Sequence, residues 1–387
     1  MIATLRLIEL ILFYMLSISA GYVLVFALAS KLYRKRKYKQ NETYNRFAVL
    51  FPAYKEDKVI VQSVISFLEQ DYPKDKYDII VISDQMEDVT NEALSKLPIR
   101  LLKATYTDSS KAKAMTLAMN ETRNEAYDMV VVMDADNTTL PSFLEELNKA
   151  SNKGLKAIQA HRTAKNQNTS IAMLDSLSEE INNSIFRKGH VAIGFSSALI
   201  GSGMAINADW FREHVELLQT AGEDKELELL LLKQRIYIEY LDHVPVYDEK
   251  TSQKDNLQQQ RRRWQAAQFV SLLSALPHFL KAFFTDNFDY CDKVLQWLMP
   301  SRIMLLAFIF AISSCVSLVS LHMAMKWWLL LAVLVFALAL AVPGRMWNKK
   351  LLAALIKAPL FAFVMISNLF KLKGAGKRFI HTRHGEH

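Results

Sequence analysis

Met129-Val130-Val131-Val132-Met133-Asp134-Ala135-Asp136-Asn137 is a short unbroken apolar run that stops on two acids. A strand with one wet face alternates polar and apolar residues. A run without alternation is covered on both faces, as in a parallel sheet flanked by helices. Three earlier stretches, Phe47–Phe51, Asp78–Ile82 and Ile99–Lys103, share its richness in Val, Ile and Leu. Helical patterns fall between the runs, at Val59–Glu69, Asn91–Ser95, Lys111–Thr122 and Ser142–Ala150. Strand and helix in alternation specify an open α/β sheet. Ligands of such sheets bind beyond the carboxyl ends of the strands, so the residues that end each run form the candidate site.

The first run ends in Phe51-Pro52-Ala53-Tyr54-Lys55-Glu56-Asp57, the second in Ile82-Ser83-Asp84, and the fourth in Asp134 and Asp136. Two carboxylates one residue apart can hold a hard divalent cation and leave positions for water and phosphate oxygens. Alone, Asp-x-Asp reads more simply as a helix start with acids against the dipole. Lys111 and Lys113 open the helix after the third run, on the same edge, where ammonium and free N–H groups can meet a diphosphate. An aromatic face, an acceptor for a base, cations and a metal are the parts a nucleotide-sugar needs.

Outward from this domain the chain turns apolar. Of 387 residues 51% are hydrophobic and 22% charged, which excludes a disordered chain. The net charge of +8 suits nucleic acid, an anionic membrane or a phosphorylated small molecule. Its concentration in Lys31, Arg34, Lys35, Arg36, Lys37 and Lys39, rather than over a face with interleaved aromatics, argues against nucleic acid. Cys291 and Cys315 are too few for a disulfide framework. Leu10–Ser30 carries no charge and is long enough to cross a hydrocarbon layer of about 30 Å. Arg6 and Glu9 stand where a leader's basic segment belongs and no small-x-small site precedes the basic cluster, so the stretch reads as an anchor rather than a cleaved leader. The basic cluster places the chain on its C-terminal side in the cytoplasm.

A second apolar region offers Ile303–Leu321, Trp327–Val342 and Leu351–Phe370, edged by Trp297, Trp327, Trp328 and Trp347. The third segment contains Lys357 and Pro359 and has basic residues on both sides (Arg345, Lys349, Lys350; Lys371, Lys373, Lys377, Arg378), so it spans, re-enters or lies in the interface. Gln265–Phe284 carries Phe269, Leu272, Leu273, Leu276, Phe279, Leu280 and Phe284 at helical intervals, as a helix lying in the membrane surface does; a core helix is the alternative. The expected division is an anchor with its basic segment (1–40), a catalytic domain (41–265), an interfacial helix region (266–294) and a C-terminal membrane region with a basic tail (295–387).

Phe51-Pro52-Ala53-Tyr54-Lys55-Glu56, Asp84, Lys113 in Lys-Ala-Lys-Ala, Asp134-x-Asp136, Gly222-Glu223-Asp224 and Gln260-x-x-Arg263-Trp264 stand in an order and spacing that, over about residues 45 to 270, resembles the membrane-integrated family 2 glycosyltransferases, the group of cellulose, chitin and hyaluronan synthases. The resemblance implies a GT-A-like, Rossmann-like open mixed sheet flanked by transmembrane helices. It implies donor positions at Pro52, Tyr54, Glu56, Asp84 and Asp134, with Lys113 approaching the diphosphate. Asp134 and Asp136 match the pair that holds Mg²⁺ or Mn²⁺, Asp136 the more directly. Asp224, beside Glu223, matches the general base, Gly201-Ser202-Gly203 a small-residue acceptor loop, and Gln260, Arg263 and Trp264 the helix closing the donor pocket. Lys55 in place of Asn, and Gly222 in place of Thr, depart from the pattern.

The implied activity is inverting, metal-dependent transfer from a UDP-sugar to a glycan or lipid-linked acceptor hydroxyl at the cytosolic face of a bilayer, a bacterial inner membrane. Direct displacement needs no Ser-His-Asp set, and His161 and His190 read as bystanders. Polymer synthesis and single transfer both remain open. Three or four spans are few to line a polysaccharide channel without a homo-oligomer or a partner subunit, which keeps the two outcomes balanced. A nucleotide-binding membrane scaffold without catalysis is the alternative. Trp264 could instead be an interfacial anchor and Arg261 to Arg263 a lipid-phosphate patch; the motif favours the pocket for Trp264 and leaves Arg261 and Arg262 to headgroups.

Overall fold

The computed structural model describes residues 2–36, 38–39, 43–220, 222–250 and 254–356. Lys37, Lys357, Pro359, Lys371, Lys373, Lys377 and Arg378 lie outside the described residues, as does the side chain of Arg263.

The four apolar runs are strands β1 (Phe47–Tyr54), β2 (Tyr77–Asp84), β3 (Arg100–Ala104) and β4 (Met129–Val132). β1 lies parallel between β2 and β4, and β3 pairs parallel with β2. β5 (Thr138–Thr139), β6 (Ala157–Ala164), β7 (Met204–Asn207) and β8 (Ile238–Asp248) extend the sheet to the order β3-β2-β1-β4-β7-β6-β8-β5. β7 runs antiparallel to β4 and β6, β8 parallel to β6, and β5 antiparallel to β8, so the sheet is mixed, as a GT-A-like fold requires.

Alternate residues of the central strands enter two different cores, which is why the runs carry no polar interruption. Leu50, Ile80, Ile82, Val130 and Val132 face α4 (Lys111–Glu121), α8 (Ala208–His214) and α9 (Glu223–Lys233). Val49, Phe51, Ile79, Val81, Val131 and Met133 face α2 (Ile60–Phe67), α3 (Asp88–Ser95) and α5 (Phe143–Ser151). Each fully buried Val, Leu, Ile or Phe contributes about 1.5–3 kcal/mol.

A third core joins α1 (Ile2–Leu32), α6 (Ser170–Asn182), α12 (Arg302–Val319), α13 (Leu321–Ala341) and α14 (Lys349–Leu355) through Val23, Phe26, Leu177, Ile181, Ile309, Trp327, Leu334 and Leu351. Glu9 accepts from Trp327 Nε1 at 2.6 Å and pairs with Lys326, which accounts for an acid inside an otherwise apolar helix. α6 continues through a π-helical turn (Asn183–Gly189) into the short α7 (His190–Ala192). His190 is buried there, stacked on Phe26 at 3.7 Å.

α10 (Lys254–Phe284) is one helix through the boundary expected at 265–266, and α11 (Phe288–Leu298) follows it. Its expected single apolar stripe divides in two. Ala267, Leu272, Ala275 and Ala282 are buried with Phe279 packed nearby, whereas Phe269, Leu273, Leu276, Leu280 and Phe284 are exposed. By length and composition, four described helices can cross a membrane: Arg6–Leu32, Gln260–Phe284, Arg302–Val319 and Leu321–Ala341. Of the expected segment at 351–370, α14 covers the start and the rest from residue 357 lies outside the described residues.

Candidate active site

β1 and β2 end level with each other, Tyr54 opposite Asp84, and each gives way to a residue of positive φ, Lys55 (+55°) and Gln85 (+54°). Left-handed backbone at non-glycine residues stores strain of about 1–3 kcal/mol and concentrates at functional turns. β4 pairs with β1 only as far as Leu50–Val132, so Pro52, two residues on, interrupts no ladder bond on that side. Tyr54 donates to Gln85 Oε1 at 3.4 Å, and the Glu56 carbonyl accepts from Val59 and Ile60, turning the chain into α2.

Asp84 is buried, and its Oδ1 has no hydrogen-bond partner among the described residues. Burial pushes its carboxyl up, while Ser109, Lys113 and Lys55 pull it back. Lys113 is half exposed; its Nζ donates to the Asp108 carbonyl at 2.6 Å and lies 5.8 Å from the Tyr106 ring.

The second cluster is built around Lys111. Its Nζ donates to Asp134 Oδ1 and to the Gly201 carbonyl at 2.6 Å, and lies 3.9 Å from Glu223 Oε1. Burial opposes its charge, but Asp134, Glu223 and Asp224 hold its pKa above the ordinary lysine value. Gly201, at φ +78°, is packed against the same group: a Cβ there would lie 3.6 Å from Asp224 Cβ, 3.7 Å from Glu223 Oε1 and 3.8 Å from Lys111 Nζ. Asp224 therefore stands at the crevice that holds Asp134. It sits in the first turn of α9, where the helix dipole favours a carboxylate.

Asn137 ties Asp136 into this cluster. Its Nδ2 donates to Asp136 Oδ1 at 3.1 Å and Asp248 Oδ1 at 3.2 Å; its Oδ1 accepts from the Asp134 N–H at 3.2 Å and from Ser202 Oγ. Asp136 is buried, with Oδ2 accepting from the Glu249 N–H at 3.1 Å. Buried Arg162 lies 3.6 Å from Asp134 Oδ2 and donates to Glu179 Oε1 at 2.7 Å; Lys250 pairs with Glu179 and Asp248. Burial alone would discharge Arg162, yet Glu179, Asp248 and Asp134 keep its pKa well above the usual value. His161 has a structural role of the same kind. Burial lowers its pKa, the Asp242 and Glu180 carboxylates outweigh this, and the value is pushed up to about 9.

Gly203 closes the loop at φ +61°, and a Cβ there would meet Val246 Cγ2 at 2.6 Å. Gly203→Ala is expected to destabilise the fold by about 2–4 kcal/mol. Adding Val246→Ala should restore part of this. Thermal unfolding reads both, and an unchanged melting temperature for Gly203→Ala would mean that the loop relaxes freely.

Gln260 and Trp264 lie on α10. Gln260 Oε1 is buried without a partner among the described residues, and the Arg261 guanidinium lies 5.2 Å from the Trp264 ring. Arg261 turns toward α6, to Asp175 and Ser178. α10 approaches α9 at Gly222, where a Cβ would come 2.7 Å from Ala267 Cβ, so the residue standing in place of Thr is required by the packing of these helices.

The structure thus brings together Asp134, Asp136, Gly201, Ser202, Gly203, Glu223 and Asp224. It sets Pro52, Tyr54, Glu56, Asp84 and Lys113 along the neighbouring strand ends, and Gln260 and Trp264 on the helix packed beside α9. Sequence reasoning gave no part to Asn137, Arg162, Glu179, Asp248 and Lys250. Asn137 follows Asp136 directly and could have been suspected; the others carry no local signal. The strand-end carboxylates are all-oxygen donors and fit a hard cation that completes its shell with phosphate and water. Among the described residues no group of three or more metal-binding side chains is gathered.

A family model described as "Glycosyltransferase like family 2" matches residues 45–267. Among curated proteins, "Probable glycosyltransferase YdaM" of Bacillus subtilis (strain 168) is 33% identical over 97 residues, which are 24% of this chain and 23% of that protein. The match thus spans about a quarter of that relative's length. Among solved structures, the mannosyltransferase PcManGT from Pyrobaculum calidifontis, in complex with GDP-Man and Mn²⁺, aligns with a TM-score of 0.49 at 15% identity, over 86% of this chain and 99% of that one. Residues 1–349 of S. aureus TarS in complex with UDP-GlcNAc align with a TM-score of 0.45 at 14% identity, over 85% and 90%.

Proposed function

The chain belongs to the glycosyltransferase-like family 2, and on that premise we propose that it is a membrane-integrated member that transfers a hexosyl group from a UDP-sugar to a hydroxyl of a glycan or lipid-linked acceptor, inverting the anomeric centre. The observation that carries this reading is the packing of Asp134, Glu223 and Asp224 around Lys111 and Gly201. Buried Asp84 Oδ1, without a hydrogen-bond partner among the described residues, supports a role as acceptor for the N3–H of uracil.

In the reaction the Asp224 carboxylate takes the proton of the acceptor hydroxyl as that oxygen attacks the anomeric carbon. The bond from the anomeric carbon to the phosphate oxygen breaks, and its electron pair leaves with UDP. One displacement turns an α-linked donor into a β-linked product. Lys111, bonded to Asp134, offsets the developing charge in this reading. Mg²⁺ or Mn²⁺, held by Asp136 and Asp134, would supply further neutralisation of the diphosphate. Four helices able to span a bilayer support a membrane setting, and the basic cluster after α1 supports a cytoplasmic catalytic domain, as in a bacterial inner membrane.

Purified protein given a panel of UDP-sugars with and without Mn²⁺ is expected to release UDP with at least one donor. No release with any donor or acceptor would leave a nucleotide-binding scaffold. Asp136→Ala is expected to abolish the Mn²⁺-dependent part of UDP binding in calorimetry; unchanged affinity would move the cation elsewhere.

A further inference from the structure

Where α6, α10 and the first turn of α12 meet, positive charge exceeds its partners. Arg302 opens α12. Its Nη2 donates to the Ser178 carbonyl at 3.0 Å and lies 3.4 Å from Ser178 Oγ, while Nη1 is buried with no hydrogen-bond partner among the described residues. Arg261 reaches the same hydroxyl from α10 at 3.2 Å and pairs with Asp175. Arg187, in the π-helical turn, is buried and donates to Asn183 Oδ1 at 2.9 Å and the Ala198 carbonyl at 3.2 Å. Arg261 and Arg187 both repel Arg302. Among the described residues, Asp175 is the one carboxylate in ion-pair contact with any of the three guanidinium groups. Ser301 Oγ, next to Arg302, is also buried without a partner among them.

A guanidinium nitrogen buried without a partner or counter-charge is costly, and an adjoining unpaired hydroxyl adds to the deficit. One anion with several acceptor oxygens would satisfy Arg302 Nη1, Ser301 Oγ and the free N–H groups of the first turn of α12 together. The guanidinium fork matches phosphate best. Arg302 is the first residue of a candidate membrane span, which sets this corner at the level of lipid headgroups.

We propose that the corner between α6, α10 and α12 binds a phosphate group carried by a membrane lipid, with Arg302 and Arg261 as its ligands and Ser301 as a further donor. The site goes beyond the sugar-transfer reading: it rests on α12 entering the bilayer and needs no nucleotide.

The test is calorimetric titration of the full-length protein in neutral detergent, without nucleotide or sugar, using short-chain phosphatidic acid in one arm and inorganic phosphate in another. Wild type is expected to bind phosphatidic acid at least about tenfold more tightly than inorganic phosphate. Arg302→Gln should weaken phosphatidic acid binding about tenfold or more, the scale of a charge-assisted hydrogen bond. Asp175→Asn, which frees Arg261 from its carboxylate, should tighten binding about threefold or more. Opposite signs in the two variants separate a ligand role from a structural one, and Asp175→Asn carries the test alone if Arg302→Gln does not fold. No binding by wild type, wild-type affinity in Arg302→Gln, or no tightening in Asp175→Asn overturns the site; equal affinity for inorganic phosphate overturns the lipid source.

Discussion

Asp224→Asn is expected to slow turnover by about 10²-fold or more while UDP binds with unchanged affinity. Asparagine keeps the size of the side chain and its place in the first turn of α9 but cannot take the proton of an attacking hydroxyl. The neighbouring acid is the comparison. Glu223 lies 3.9 Å from Lys111, whereas among the described residues the ion-pair partner of Asp224 is its chain neighbour Lys225, at 3.9 Å. Glu223→Gln should therefore loosen Lys111 and cost less turnover than Asp224→Asn. Steady-state kinetics on the purified protein decide it, and near-wild-type turnover for Asp224→Asn would remove the proposed role.

Lys111→Met should lower kcat/KM by about 10²–10³-fold, comparable to losing one preorganised donor to a developing anion. The same substitution at Lys113 should cost less than about tenfold, because that side chain is half exposed and held by Asp108. Thermal unfolding of Lys111→Met separates a lost catalytic contribution from misfolding, and near-wild-type kcat/KM in the folded variant would remove Lys111 from the proposed chemistry.

The fold's centre was legible because both faces of β1, β2 and β4 are apolar. β6 and β8 were not, since their inward side chains include Gln159, His161, Arg162 and Glu239, the last three buried with partners remote in the chain, Glu180, Glu179 and Arg36. Such strands look polar until their partners are known. At the site, the acids ending β2 and β4 stood out, because an open sheet directs strand ends to the ligand. That Lys111, and not Lys113, contacts Asp134 and Glu223 did not. Two residues on a helix differ by about 200° in direction, so which lysine reaches the acids depends on how α4 is rotated against the sheet. The double-faced α10 was hidden for a related reason: the sequence shows one apolar stripe, and only packing reveals that Leu272 turns inward while Leu273 turns out.

α6 has an unusual position, with Asp175, Glu179 and Glu180 turned to cations of β6, α10 and the chain after β8, and Met173, Leu177 and Ile181 buried against α1, α12 and α13. Excising residues 45–267 as a soluble fragment would strip that greasy side of its cover. Such a fragment should aggregate unless detergent shields it. A cut between the family-matched stretch and the long apolar helices around it thus runs through the packing of a helix that lies within that stretch itself.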